Sequence, residues 1–167
     1  VAVGYSAGLS VTTGVRNTLI GGIAGDAITT GERNTAVGYG ALSTETTHGY
    51  NTAVGHNALT TLNAGDNGYN TAVGVEAGQA LTTGRFNTIM GSLAGDALTT
   101  GASNVALGYG AFKTSTTGYS SVVVGTNAGD AITSGNQNTL IGFDSGTTLT
   151  TGSDNTAVGD RSFKLAT

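Results

Sequence analysis

The 167 residues include no cysteine, no proline and no tryptophan, a single methionine, and only 10% charged residues. Without cysteine there is no disulfide framework, no thiolate metal site and no thiol nucleophile. A formal net charge of −4 and a sequence pI near 4.8 leave no basic footprint for phosphate, so no nucleic-acid partner is expected. Apolar runs such as Val122–Val124 are a few residues long, against the roughly 20 that a spanning helix needs, so no membrane insertion is expected. What the chain has in excess is glycine, 29 residues.

The glycines are periodic. The pentapeptide Asn34-Thr35-Ala36-Val37-Gly38 returns in variant form along the whole chain, with copies starting at Asn17, Asn34, Asn51, Asn70, Asn87, Asn104, Ser121, Asn138 and Asn155. A truncated copy, Val1 to Gly4, opens the sequence. The spacing is 17 residues except from Asn51 to Asn70, where it is 19. A strict period of this size predicts one repeat array over residues 1–167, in which each unit buries its apolar face only against its neighbours. There is no initiator Met or signal peptide, and both ends fall inside a repeat, so the chain is expected to be a fragment of a longer one.

With the Asn as offset zero, offset four is glycine in every copy: Gly4, Gly21, Gly38, Gly55, Gly74, Gly91, Gly108, Gly125, Gly142 and Gly159. Glycine fixed at a strand end implies a corner with positive φ or a close backbone approach. A second corner follows Thr-Thr-Gly groups such as Thr29-Thr30-Gly31 and Thr99-Thr100-Gly101. Two corners per coil, with β-branched residues between them, predict an all-β parallel β-solenoid or β-roll of about ten 17-residue coils. Each coil is expected to hold two short strands.

Offsets two and three are both apolar throughout, so the first strand is expected to be covered on both faces. The larger residues at offset three (Val37, Val54, Val73, Met90) are assigned to the coil interior. The smaller ones at offset two, Ala36, Ala53, Ala72, Ala106 and Ala157, are assigned to a subunit interface around a threefold axis. In the second half of the coil, glycine at offset eight accompanies a large residue at offset eleven (Gly25 with Ile28, Gly129 with Ile132). Leu or Phe at offset eight accompanies a polar or small one (Leu42 with Glu45, Phe112 with Ser115, Phe163 with Ala166). One large side chain per coil filling one slot is what close packing predicts. Leu59 with Leu62 departs from the rule, in the 19-residue coil.

Catalytic constellations are nearly absent, and no enzymatic activity and no cofactor or metal are expected. His48 and His56 sit at different offsets and read as surface corner residues. Gly38-Tyr39-Gly40 lacks the third glycine and helix of a dinucleotide loop. Asp26, Asp96 and Asp130 share offset nine, a column that reads as solvated carboxylates more readily than as a hard-cation site. The Asn column is expected to be a column of turn residues whose side-chain amides stack on their neighbours above and below as a structural ladder. Threonine columns at offset one (Thr18, Thr35, Thr52, Thr71, Thr88) and at the Thr-Thr corner suggest an ice-binding face, but offset one shares its side of the strand with the core position at offset three and adjacent Thr-Thr pairs point to opposite sides, which count against that reading. The extra residues of the long coil fall in the turn-rich Gly65-Asp66-Asn67-Gly68, which with Tyr69 makes a candidate binding loop.

The repeated Asn-Thr-Ala-Val-Gly, with Ala near offset seven and a Gly-bearing turn, resembles the head repeats of trimeric autotransporter adhesins. More closely it resembles the repeat arrays of bacteriophage tail fibres, as in Asn34 to Leu42. The resemblance implies a trimeric shaft or head, extracellular on a virion or cell surface, that presents elements binding a host receptor or glycan. The alternatives are a self-assembling filament of end-stacked solenoids and an ice-binding solenoid.

Overall fold

The computed structural model describes residues 1–163, so the pairing of Phe163 with Ala166 and the altered pattern toward Thr167 lie outside the described residues. The strands are β1 (Ala2–Val3), β2 (Thr18–Ile20), β3 (Thr35–Val37), β4 (Thr52–Val54), β5 (Thr71–Val73), β6 (Thr88–Met90), β7 (Val105–Leu107), β8 (Val122–Val124), β9 (Thr139–Ile141) and β10 (Thr156–Val158). They form one parallel sheet in sequential order, and each strand pairs with the next at equivalent repeat positions. The 19-residue coil keeps the register, since Ala53 still faces Ala72. The chain is therefore an all-β parallel solenoid of about nine turns, with no helix among the described residues. At about 4.8 Å per strand the first and last strands lie about 43 Å apart.

Each coil contains one strand, not two. Where a second strand was expected, the backbone runs through turns in which alternate residues take positive φ: Gly21 (133°), Ile23 (49°) and Gly25 (54°), or Gly38 (131°), Gly40 (65°) and Leu42 (52°). A strand cannot contain such an alternation, because extended residues need negative φ. Coil-to-coil hydrogen bonding nevertheless continues through this flank. The Ile23 N–H donates to Tyr5 O at 2.7 Å in the coil before, and the Gly25 N–H to Ala41 O at 2.9 Å in the coil after. The backbone groups are thus satisfied without β geometry.

The strand faces are the reverse of those expected. Ala36, Ala53 and Ala72 at offset two are fully buried inside a single chain, and Ala106 and Ala157 are nearly so. They cannot line an interface with another subunit. Offset three points outward: Ile20, Met90, Ile141 and Val158 are exposed and Val37, Val54 and Val73 half-buried. The core consists of offsets two, seven, eight and eleven, and offset two takes part in the volume compensation. Leu19 and Ile89 accompany Gly25 and Gly95, while Ala36 and Ala106 accompany Leu42 and Phe112. A Cβ on Gly25 would lie 2.7 Å from Leu19 Cδ2 and 2.9 Å from Ile28 Cδ1, so those two side chains already fill the slot. The coil with both Leu59 and Leu62 also fits. Its neighbour carries Ala72 and Gly78, and the Leu59 side chain reaches within 3.1 Å of where a Gly78 Cβ would be. Compensation therefore crosses between coils as well as within them.

Candidate functional surfaces

The glycine corners are structural. From Gly4 through Gly142 the offset-four glycines have φ between 130° and 141° and stand directly under the equivalent glycine of the next coil. A Cβ on Gly91 would meet Gly108 O at 2.4 Å. The Thr-Thr-Gly glycines lack that φ, yet a Cβ on Gly84 would meet Gly101 O at 2.2 Å, so the second corner needs glycine for close approach alone. Beside it runs the amide ladder. Asn34, Asn51, Asn70, Asn87, Asn104 and Asn138 are at most 1% exposed. The Asn87 Oδ1 accepts from the Asn104 N–H at 3.0 Å, and its Nδ2 donates to Gly101 O at 2.9 Å. Ser121 keeps the column continuous by accepting from the Asn138 N–H through Oγ.

The outward side of the strand ladder is one surface that runs from β1 to β10. It carries offset one (Thr18, Thr35, Thr52, Thr71, Thr88, then Val105 and Val122, then Thr139 and Thr156) beside the aliphatic offset-three column, with no charged residue in either. Both columns run in register. Among the described residues the hydroxyls of these threonines make no intramolecular hydrogen bond. The threonines at offset twelve behave oppositely. Thr12, Thr29, Thr82, Thr99, Thr116 and Thr133 each donate through Oγ1 to the carbonyl of the equivalent threonine one coil on, at 2.9 to 3.2 Å.

A third surface lies around the candidate loop. Gly65, Asp66 and Tyr69 are exposed, Asn67 is half-buried and Gly68 is buried. Tyr69 belongs to a ring ladder on the last residue of successive coils, stacked on Tyr50 (centroids 4.9 Å) and on Phe86 (5.5 Å). Arg33 lies over the Tyr50 ring and donates to its hydroxyl, and Arg85 lies over Phe86 and bridges Asp66 at 2.7 Å. The Asn67 N–H, and then the Arg85 guanidinium, hold the Asp66 carboxyl below the usual carboxylate range. Behind the loop the fully buried Glu45 accepts from the N–H groups of Thr46 (3.0 Å), His48 (3.1 Å) and Ala64 (3.3 Å), with His48 Nδ1 at 3.5 Å from Oε1. Glu45 thus ties the long coil to the one before it. His48 is therefore not a simple surface residue, and His56 stacks on Tyr39 at 5.7 Å. The sequence signal for Glu45 was its place at offset eleven, a slot that most coils fill with Ile or Leu.

Asp26, Asp96 and Asp130 do not converge, and among the described residues no group of three His, Cys, Asp or Glu side chains is placed to hold a metal ion. At offset five, just past the glycine corner, Tyr5, Tyr39, Val75, Tyr109 and Phe143 form an interrupted column of exposed large side chains. Comparison of the chain with family models, with curated proteins and with solved structures finds no match.

Proposed function

We propose that this chain is a length of shaft in an extracellular fibre, holding a surface-binding element away from a particle or cell. The observation that supports the reading is the uninterrupted ladder from β1 to β10, with the buried Asn column beside it. Every backbone step along the axis is repeated without a break at the long coil, which suits a stiff spacer. No catalytic role forms part of this reading. The projecting corner from Gly65 to Tyr69, with its exposed rings and charges, is the place proposed for contact with a receptor or glycan, since a rigid scaffold tolerates variation there.

The shaft is proposed to be a trimer. With the alanines inside the chain, contact between copies is assigned to the offset-five column, where exposed Tyr39, Tyr109 and Phe143 supply the aromatic anchors that protein interfaces favour. Light scattering after size-exclusion chromatography tests this. A discrete mass of three chains is expected, falling to one chain in Tyr39→Ser/Tyr109→Ser with unchanged circular dichroism. A single-chain mass for the parent at every concentration would overturn the trimer. Rods of the expected length in electron micrographs support the shaft, and compact particles would overturn it.

A further inference from the structure

We infer that the outward face of the strand ladder is an ice-binding surface, on which the offset-one hydroxyls and the offset-three methyl groups together hold an ordered layer of water. The inference does not depend on the fibre reading, because it concerns a face that the proposed trimer contact leaves open.

Three properties of the face carry it. First, its hydroxyls have no partner within the chain. Thr18, Thr35, Thr52, Thr71 and Thr88 stand in one column with free Oγ1 groups, whereas offset-twelve threonines of the same coils donate to the backbone. Both positions reach solvent, but the offset-twelve hydroxyls are already bonded to the backbone and only the offset-one hydroxyls are left for water. Second, the geometry is a lattice. Strand pairing repeats each hydroxyl about every 4.8 Å along the axis, and the aliphatic column lies about 6.6 Å away across the strand. These spacings are comparable to the oxygen repeats on a prism face of hexagonal ice. Water beside methyl groups is already restricted in orientation, and a hydroxyl at every step can pin that layer by hydrogen bonds. Third, neither column contains a charged group, which would orient water radially and break the lattice.

A second copy of the chain fits the same face less well. Covering the strip with protein would leave each free hydroxyl needing a new partner in place of water. Water satisfies the hydroxyls wherever they stand. The column is interrupted at Val105 and Val122, which keep the branched shape and lose the hydroxyl, so coils from Thr18 to Thr88 form the longest continuous stretch.

The test is partition into a slowly growing ice front, together with the shape of single ice crystals. The parent is expected to enter the ice and to facet the crystals. Thr52→Lys/Thr71→Lys should lose both effects, falling to the level of an ordinary excluded protein, while circular dichroism and melting stay at parent values because these side chains make no internal bond. Thr30→Lys/Thr100→Lys, the same change at exposed corner threonines outside both the face and the offset-five column, should behave as the parent in ice. Val105→Thr/Val122→Thr, which completes the hydroxyl column, should increase partition. Exclusion of the parent from ice would overturn the inference, as would undiminished partition of Thr52→Lys/Thr71→Lys. A drop in assembly mass caused by Thr52→Lys/Thr71→Lys would overturn it too, since the face would then be occupied by a second copy. A single-chain mass with normal ice partition removes the trimer and leaves the ice-binding face standing.

Discussion

The two flanks of each coil solve one problem in different ways. On the strand flank, three extended residues pair with the coils on either side, and the side chains alternate strictly between interior and solvent. On the turn flank the same coils are stacked by hydrogen bonds from a backbone whose residues alternate in the sign of φ. The strand flank therefore constrains side-chain shape and is rich in Thr, Val and Ile. The turn flank constrains backbone freedom and bulk. Alanine recurs at offset seven, buried at Ala24, Ala41, Ala58, Ala77, Ala94, Ala111 and Ala128, and glycine alternates with Leu or Phe at offset eight. Leu42, Leu59 and Phe112 accept φ of 50° to 56°, a left-handed conformation that costs roughly 1–2 kcal/mol per residue, while their side chains fill the core.

The largest effect is expected where the turn flank supplies the core. Phe112→Ala should destabilise by about 3–5 kcal/mol, because its coil offers only Ala106 and Ser115 to close the cavity. Adding Ala106→Leu and Ser115→Leu should recover much of the loss in chemical melts, by moving the bulk to the slots used in the coil of Leu19. If the triple variant is no better than Phe112→Ala, the slots on the two flanks are not interchangeable.

Two glycines of the turn flank, one at the corner that opens it and one within it, separate close approach from simple left-handedness. Gly91→Ala places a Cβ against the Gly108 carbonyl at a φ of 133° and should lower stability by about 3 kcal/mol. Gly95→Ala, at a φ of 54° with Ile89 Cδ1 3.3 Å from the added carbon, should cost only about 1 kcal/mol. Equal shifts in the melting midpoint for the two variants would break the distinction between close approach and simple left-handedness.

Between the flanks, Asn87→Ala removes the acceptor for the Asn104 N–H and the donor to Gly101 O, both buried, and should cost about 2 kcal/mol. Amide exchange would show the loss confined to those coils.

The smallest effect is on the turn flank's surface. Partial burial, and then the nearby Glu76, raise the Asp96 carboxyl above its ordinary range, against the pull of Lys113. Ionised Asp96 is thus disfavoured in the folded state at neutral pH. Asp96→Asn should raise the melting temperature slightly at pH 7, with the gain fading as pH falls through the raised carboxylate range toward the ordinary one, where the parent also carries a neutral group. A gain that grows on acidification would refute this assignment.

Much of the architecture was legible from the period alone. A glycine at every offset four, an Asn at nearly every offset zero and a spacing of 17 residues that changes once point to stacked coils that place equivalent residues in equivalent surroundings. The amide ladder followed from the same invariance. The candidate loop was legible as an insertion between Asn51 and Asn70, but its stacked rings and the Glu45 anchor were not, because they join residues one coil apart whose side-chain directions depend on positive φ at Tyr50 and Tyr69. The second strand was misread for a related reason. Thr, Ile and Leu at offsets eleven and twelve have strand propensity, and no residue type announces a left-handed conformation at Ile23 or Leu42.

By itself, the sequence determined that offsets two and three lie on opposite sides of a strand, for side chains alternate whatever the fold. Which side is inside was decided only by tertiary structure. Both positions are apolar, so polarity could not choose between them, and the choice rested on volume. A coil already filled by alanine at offset seven and a large side chain at eight or eleven has room for Ala36 or Ala106 opposite Leu42 or Phe112, and for Leu19 or Ile89 only where offset eight is glycine. The larger column at offset three was left outside with the threonines, and the surface on which this molecule meets its surroundings was set by what its interior could not hold.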